Sequence, residues 1–534
     1  MPNEPINAPD SPEKRDDFLR FAYNLSSEDN ADEAAGVYNY IDDGIPTDAD
    51  LLPDEEYYRD YRDTGPKKPY EYDIAIIGGG PAGYAAALRA ARLGADVILF
   101  EKEMLGGLSL NAGCVPAKTY LKSAETLNAV STAGFYGVTG TGPAAVDLQR
   151  VYEYKNNIVS KLTSNIVRML RNCRVRVEAG EARLQSAHEI HCRGRNYSTA
   201  KVVLCGGTKV GMPDIPGLGH SGVCSTNGLF SITNVPPRML VLGGGSAGCE
   251  IAAAFAAFGS NVMLVEPQSR ILPDMDAQVA EAIDNALTGA GVKIHAGIAV
   301  REVADRDGYP FVITERGGVL CDKVVVTTDR EADTSFLGSL ANAIAFRNGY
   351  VLVNEYLETS VPGIFAAGDI TGLGTKTHAA YLMAECAASN ALGGKRPIDL
   401  RVVPKIVYTS PQAASVGLSE EDAREKYRGE LLTGYCPLSE NARAMLSGTT
   451  EGFVKVLAGK RYGEIYGVHI VGAEAAEMIA EPAALMRMEV TVHEAAGDIV
   501  HAHPSYAEAF MEACSDALGR SIHLMKAEIL QDAR

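Results

Sequence analysis

"YDIAIIGGGPAGYAAALRAARLGADVILFEK", residues 72–102, decides the fold. A short apolar run ends in three glycines, an alanine-rich stretch follows Pro81, and a second apolar run closes at Glu101. The pattern is strand, tight turn, helix, strand. Gly78 permits the turn, Gly80 lets backbone approach a pyrophosphate, and Gly83 lets helix pack on strand. The helix N-terminus then faces the phosphates. Glu101 stands 18 residues after Gly83, where a carboxylate can hold a ribose hydroxyl pair. The unit recurs in "MLVLGGGSAGCEIAAAFAAFGSNVMLVEP", residues 239–267, with Gly243, Gly245, Gly248 and, 18 residues on, Glu266. An acid there favours the free 2′-hydroxyl of NAD(H) and repels a 2′-phosphate, although Arg270 close by is a cation that could work against this. Glu250 sits in the first turn of the second helix, where a carboxylate complements the helix dipole. Two such units imply an α/β protein with two dinucleotide-binding folds.

The rest of the chain sets bounds. Its 534 residues are enough for two to four domains, and a net charge of -19 without a basic stripe argues against a nucleic-acid partner. Ten cysteines lie scattered with no CxxC pair, so neither a metal site nor a secreted disulfide framework is expected. No apolar run is long enough to span a bilayer and the N-terminus is acidic, which predicts a cytoplasmic protein without a membrane partner. Residues 1–68 are acidic and dotted with tyrosines ("DEEYYRDYRD"), and they form either a solvated arm or one that docks a partner. From residue 401, strand-like runs such as "GFVKVLAG" alternate with helical stretches, as in a separate α+β domain.

Several motifs in one order carry a resemblance. They are the two glycine loops, "GGLSLNAGCVPAK" (106–118), "TSVPGIFAAGDITG" (359–372), "KIVYTSPQAASVGLSEEDA" (405–423), "EGFVKVLAGKRYGEIYGVHIVG" (451–472) and "HAHPSYAEAF" (501–510). Together they resemble the pyridine nucleotide-disulfide oxidoreductases, and within them the dihydrolipoamide dehydrogenase branch. The resemblance implies two Rossmann-like domains, binding FAD and NAD(H), and a C-terminal dimerisation domain. Expected limits are 1–68 for the acidic extension, 69–215 and 336–400 for the FAD domain, 216–335 for the NAD domain and 401–534 for the interface domain. It implies that Asp369, after Gly368, binds the flavin ribityl chain, and that Gly207 and His378 also lie at the flavin. Lys118 would pair with Glu250 near the flavin's reactive edge, and His503 with Glu508 would form the acid-base dyad, reaching across a homodimer interface. His501 is expected to be a surface or packing histidine.

One departure bears on chemistry. The family signature has two cysteines five positions apart; here Cys114 matches the flavin-side sulfur and Ser109 takes the place of the sulfur that exchanges with substrate. A serine hydroxyl cannot perform thiol-disulfide exchange. Ser109 therefore marks either a replaced cysteine or a natural monothiol flavoprotein, in which Cys114 cycles through a sulfenic acid or a mixed disulfide. The expected function is an FAD-dependent, NAD-linked dithiol/disulfide oxidoreductase, with a lipoyl protein as the family's default substrate. The alternatives are a monothiol NADH oxidase, peroxide reductase or small-disulfide reductase, and a non-catalytic flavin-binding assembly subunit. "LCGGTK" (204–209), "TTDREAD" (327–333) and Gln412 also depart from the family pattern, and bear on affinities more than chemistry.

Overall fold

The computed structural model describes residues 69–524, apart from 329 and 429; the acidic extension lies outside them. The described chain divides into two compact units, one of residues 69–116, 153–211 and 330–400, the other of 117–152, 212–328 and 401–524.

In the first unit the strand Tyr72–Ile77 is central, parallel to Val97–Glu101 on one side and to Arg195–Leu204 on the other. Arg176–Ala179 and Ile364–Ala366 extend the parallel sheet at its two ends. The ten-residue strand Arg195–Leu204 serves two sheets. Its first half sets the buried Tyr197 and Thr199 among more exposed neighbours and pairs antiparallel with Glu189–Cys192, whereas Val202, Val203 and Leu204 are fully buried between parallel neighbours. That switch from alternation to a continuous apolar run is what one- and two-sided burial require. The helix Pro81–Arg92 packs on Thr377–Ala391, where Tyr84 meets Tyr381 at 2.6 Å and Arg89 donates to the Ser389 hydroxyl at 3.2 Å.

The second unit holds a parallel sheet ordered Lys293–Ala296, Asn261–Glu266, Arg238–Leu242, Lys323–Val326, Val223–Ser225. The helix Ser246–Ala257 follows its glycine loop, and the core gathers Val241, Leu264, Phe255 and Ile283. From residue 401 comes an antiparallel sheet ordered Lys405–Val407, Gln412–Gly417, Ile465–Gly472, Phe453–Gly459, Leu431–Pro437. The helix Glu508–Ala517 buries Ala509, Phe510, Ala513 and Cys514 against that sheet.

The compact units cut across the expected segment limits at two places. Residues 330–335, expected to end the NAD domain, belong to the first unit, because Arg330–Ala332 pairs antiparallel with Thr208–Val210. Residues 117–152, expected in the FAD domain, belong to the second unit, where Tyr120 packs edge-on to Phe230 beside Phe255 and Phe258. Among the described residues no helix is long and apolar enough to cross a membrane.

Candidate active site

The two glycine loops have the same geometry. Gly78 and Gly243 adopt φ of 102° and 111°, in the left-handed region that favours glycine. A Cβ on Gly83 would lie 1.7 Å from the Gly78 carbonyl oxygen, and one on Gly248 1.8 Å from that of Gly243. Helix and strand touch there, and no side chain fits. Gly80 and Gly245 differ: their φ is ordinary, and a Cβ would meet nothing closer than 3.8 Å at Gly80 and nothing within 4 Å at Gly245. Nothing in the protein itself demands glycine at these two positions. The open space beside an uncapped helix N-terminus fits a pyrophosphate approaching bare backbone.

The two acids repeat each other as well. Glu101 accepts from the Gly79 and Glu103 N–H groups, both at 2.6 Å, and Glu266 accepts from Gly244 at 2.6 Å and Gln268 at 2.8 Å. Both carboxylates are buried, and burial pushes the Glu101 carboxyl above its ordinary range. Arg270 is held by both oxygens of Glu421, at 3.1 and 3.2 Å, and donates to the Met275 carbonyl.

Gly368 turns with φ 82°, and Asp369 follows it. Oδ2 of Asp369 accepts from Thr208 Oγ1 at 3.3 Å and Arg330 Nη1 at 3.2 Å. Gly207, at φ 68°, accepts the Asp333 N–H through its carbonyl at 3.1 Å, and His378 is the second residue of the helix Thr377–Ala391. Gln412 accepts the Ala476 N–H at 3.0 Å, a structural contact.

Ser109 lies on the short helix Gly107–Asn111, and Cys114 opens the 19-residue helix Cys114–Thr132. Asn111 holds the turn by donating to the Leu105 and Gly107 carbonyls at 3.1 and 2.9 Å. Thr377 joins the two positions: its Oγ1 lies 2.8 Å from Ser109 Oγ and 4.0 Å from Cys114 Sγ. Cys114 is exposed, and every cysteine in the chain is a free thiol. Thr377 carries no signal of its own in the sequence; only the fold brings it to position 109.

In the second unit Lys118 Nζ meets Glu250 Oε2 at 2.6 Å, with the carboxylate side chain 5% exposed. The other oxygen, Oε1, accepts the Tyr408 N–H at 3.0 Å, and the Lys118 ammonium stands 4.4 Å over the Tyr408 ring. A buried carboxylate with both oxygens engaged is far more than a helix-dipole complement. Tyr408, within "KIVYTSP", is a second participant that sequence reasoning passed over. His503 Nδ1 contacts Glu508 Oε1 at 2.8 Å while the Ser505 N–H donates to Oε2 at 2.8 Å. Burial would raise the Glu508 carboxyl, but these hydrogen bonds hold it below the usual range. The imidazole is 71% exposed in the single chain. His501 is buried and bonded to Glu481 at 2.7 Å, as a packing histidine would be. The structure thus pairs Ser109 with Cys114 through Thr377, Lys118 with Glu250, and His503 with Glu508.

The model of the pyridine nucleotide-disulphide oxidoreductases matches residues 72–384, and that of their dimerisation domain matches residues 403–514. The chain belongs to this family. It is 34% identical to a dihydrolipoyl dehydrogenase of Thermus scotoductus over 85% of this chain and 99% of that one, and 31% identical to one of Trypanosoma brucei brucei over 85% and 98%. Among solved structures, a cysteine-to-serine mutant of the HOCl-induced flavoprotein disulfide reductase RclA from Escherichia coli, in its Cu(II) complex, superposes with a TM-score of 0.76 at 28% identity, covering 84% and 99% of the two chains. LpdA from Mycobacterium tuberculosis also gives 0.76, at 27% identity over 83% and 99%. The protein is an FAD- and NAD(H)-dependent oxidoreductase acting on sulfur groups, and its dimerisation domain makes it a homodimer.

Proposed function

We propose that the protein passes electrons between NAD(H) and a disulfide or dithiol, with Cys114 as the sulfur next to the flavin and Ser109 in the position of the exchanging sulfur. Gly78, Gly80, Gly83, Glu101, Gly207, Gly368, Asp369 and His378 hold FAD, and Gly243, Gly245, Gly248 and Glu266 hold NAD(H). When bound, these cofactors supply hydride transfer and an electron pair for sulfur. Lys118, fixed by Glu250, presents a positive charge at the flavin's reactive edge. His503, oriented by Glu508, moves the substrate thiol's proton through Nε2 and works across the interface of the homodimer. The division into an FAD domain in two parts, an NAD domain and an interface domain belongs to the same reading. So do a cytoplasmic setting, a lipoyl protein as the dithiol partner, and docking of a partner through the acidic extension.

The monothiol reading is the one that the site's geometry favours. Thr377 Oγ1 lies 2.8 Å from Ser109 Oγ and 4.0 Å from the Sγ of the exposed Cys114, so a hydroxyl serves both positions. In that reading the Cys114 thiolate attacks a small disulfide and releases one thiolate. Two electrons from NADH then cleave the mixed disulfide, restoring the Cys114 thiolate and releasing the second thiolate, which His503 protonates.

Ser109→Cys tests the assignment. NADH-linked turnover of lipoamide and of a small disulfide is measured for both proteins. If Ser109 fills the exchange position, the variant gains orders of magnitude with lipoamide, because a second sulfur is restored. The Ser109 protein should show a long-wavelength charge-transfer band from an unpartnered Cys114 thiolate against oxidised flavin. Equal lipoamide turnover by both proteins would show that position 109 takes no part in exchange.

A further inference from the structure

The two family departures, "LCGGTK" and "TTDREAD", prove to be neighbours in the fold. Thr208–Val210 and Arg330–Ala332 form a two-stranded antiparallel ribbon. Its turn-side contacts are close. The Asp333 N–H donates to the Gly207 carbonyl at 3.1 Å, and a Cβ on Gly206 would lie 2.2 Å from the Phe336 ring and 2.9 Å from the Asp333 carbonyl oxygen. Both ends of the ribbon reach the Gly-Asp turn, through Arg330 at one end and Thr208 at the other, each bonded to Asp369. The end that carries Thr208 and Ala332 also reaches the end of the second strand of the first glycine unit. There Asp333 Oδ2 meets Lys102 Nζ at 2.6 Å, and Asp333 Oδ1 is held by the Ser335 hydroxyl at 2.7 Å and the Ser335 N–H at 3.2 Å. Lys102 directly follows Glu101, the acid expected at the ribose. The Gly78 turn touches the stretch that leads into the ribbon, since a Cβ there would lie 2.3 Å from the Cys205 carbonyl oxygen.

We infer that the Lys102–Asp333 pair is a latch that keeps FAD in place, joining the strand that carries the ribose acid to a ribbon anchored at the ribityl-side aspartate. The inference rests on Glu101 and Asp369 marking the two ends of the flavin dinucleotide. Asp333 and Lys102 are positioning residues: each acts on the cofactor by fixing the segment that carries a binding group. Opening the pair frees the ribbon end from the strand end, and FAD then leaves faster. The side chains are 43% exposed at Lys102 and 16% at Asp333, so the attraction is partly screened by solvent and salt.

The test uses the purified holoprotein. FAD release is followed by the rise in free-flavin fluorescence after dilution, for the unaltered chain, for Asp333→Asn, and for Lys102→Glu combined with Asp333→Lys. Thermal unfolding of each apoprotein is measured alongside. Asp333→Asn should release FAD roughly two- to fivefold faster, the range expected for a partly exposed ion pair. The apoprotein should melt unchanged, and the salt dependence of release seen in the unaltered protein should shrink. The charge-reversed pair should bring release back toward the original rate. Unchanged release in Asp333→Asn overturns the latch, and so does a faster release matched by an equal loss of apoprotein stability. A protein that takes up no FAD at all would instead refute the assignment of the flavin site, so the two failures stay distinct.

Discussion

Replacing Glu508 by glutamine tests the acid-base dyad with little change of shape. The carboxylate accepts from His503 Nδ1 and from the Ser505 N–H, both at 2.8 Å. Glutamine can keep one acceptor for the backbone but loses the negative charge that stabilises an imidazolium. A hydrogen bond to a charged group contributes about 1.5–3 kcal/mol. Here the imidazole is 71% exposed and the carboxylate 18%, so water screens part of that attraction. About 1–2 kcal/mol remains, which corresponds to a roughly five- to thirtyfold loss of rate at about 1.4 kcal/mol per decade. The assay is NADH-linked lipoamide turnover in the Ser109→Cys background, where the sulfur relay is complete. Stopped-flow reduction of the flavin by NADH, which does not use the dyad, is the control. His503→Gln in the same background should cost about 10²–10⁴, since it removes the proton-transfer group rather than its orienter. Two results would refute the reasoning: a Glu508→Gln loss smaller than about twofold, or an equal slowing of flavin reduction by NADH.

Glu266→Gln should narrow the preference for NADH over NADPH in flavin reduction, because it removes the charge that repels a 2′-phosphate while keeping an acceptor for the Gly244 N–H; an unchanged ratio would point to another discriminating group. Stability should fall as pH drops from about 6.5 toward 4, because burial holds the His469 imidazole down to about 4 from an ordinary 6.5. Across that window the unfolded chain binds the proton that the folded chain refuses, a loss approaching about 3 kcal/mol at the acid end. Urea unfolding at several pH values would show it, and a curve no flatter for His469→Gln would assign the loss elsewhere.

What was legible in the sequence was whatever a local pattern encodes. Gly83 and Gly248 are dictated by contacts within their own strand-turn-helix units, so a reader of those 30 residues can deduce them. Glu101 and Glu266 are as local, each bonded to a glycine 22 residues back. Thr377 and Ser109 are separated by 268 residues and Lys102 and Asp333 by 231, and nothing in the neighbourhood of either partner announces the other. The same holds for Lys455, buried with its ammonium 2.6 Å from Asp276 and 3.1 Å from Glu420, which looks like an ordinary charge in a strand until the fold closes around it. The compact units depend on the same kind of long-range contact. Residues 330–335 continue the second nucleotide unit along the chain, but their strand partner lies at 208–210.

The motifs therefore set where chemistry happens, and single atoms at long-range contacts set which chemistry it is. Position 109 shows this most directly. Its backbone frame is complete: Asn111 ties the turn, and a Cβ on Gly113 would lie 2.9 Å from the Leu108 carbonyl oxygen, so the two helices meet as the signature requires. The frame alone would suit either residue at 109. The side-chain surroundings are less neutral, because a hydroxyl can both donate to and accept from Thr377 at 2.8 Å, an ordinary length for two oxygens. A thiol is a weak donor and a weak acceptor, and its larger sulfur would have to stand farther off. Thr377 thus stabilises serine over cysteine at this site, and the same hydroxyl lies 4.0 Å from the Cys114 sulfur. A protein relying on a sulfur pair gains nothing from that hydroxyl, whereas one in which Cys114 works alone gains a donor beside its thiolate.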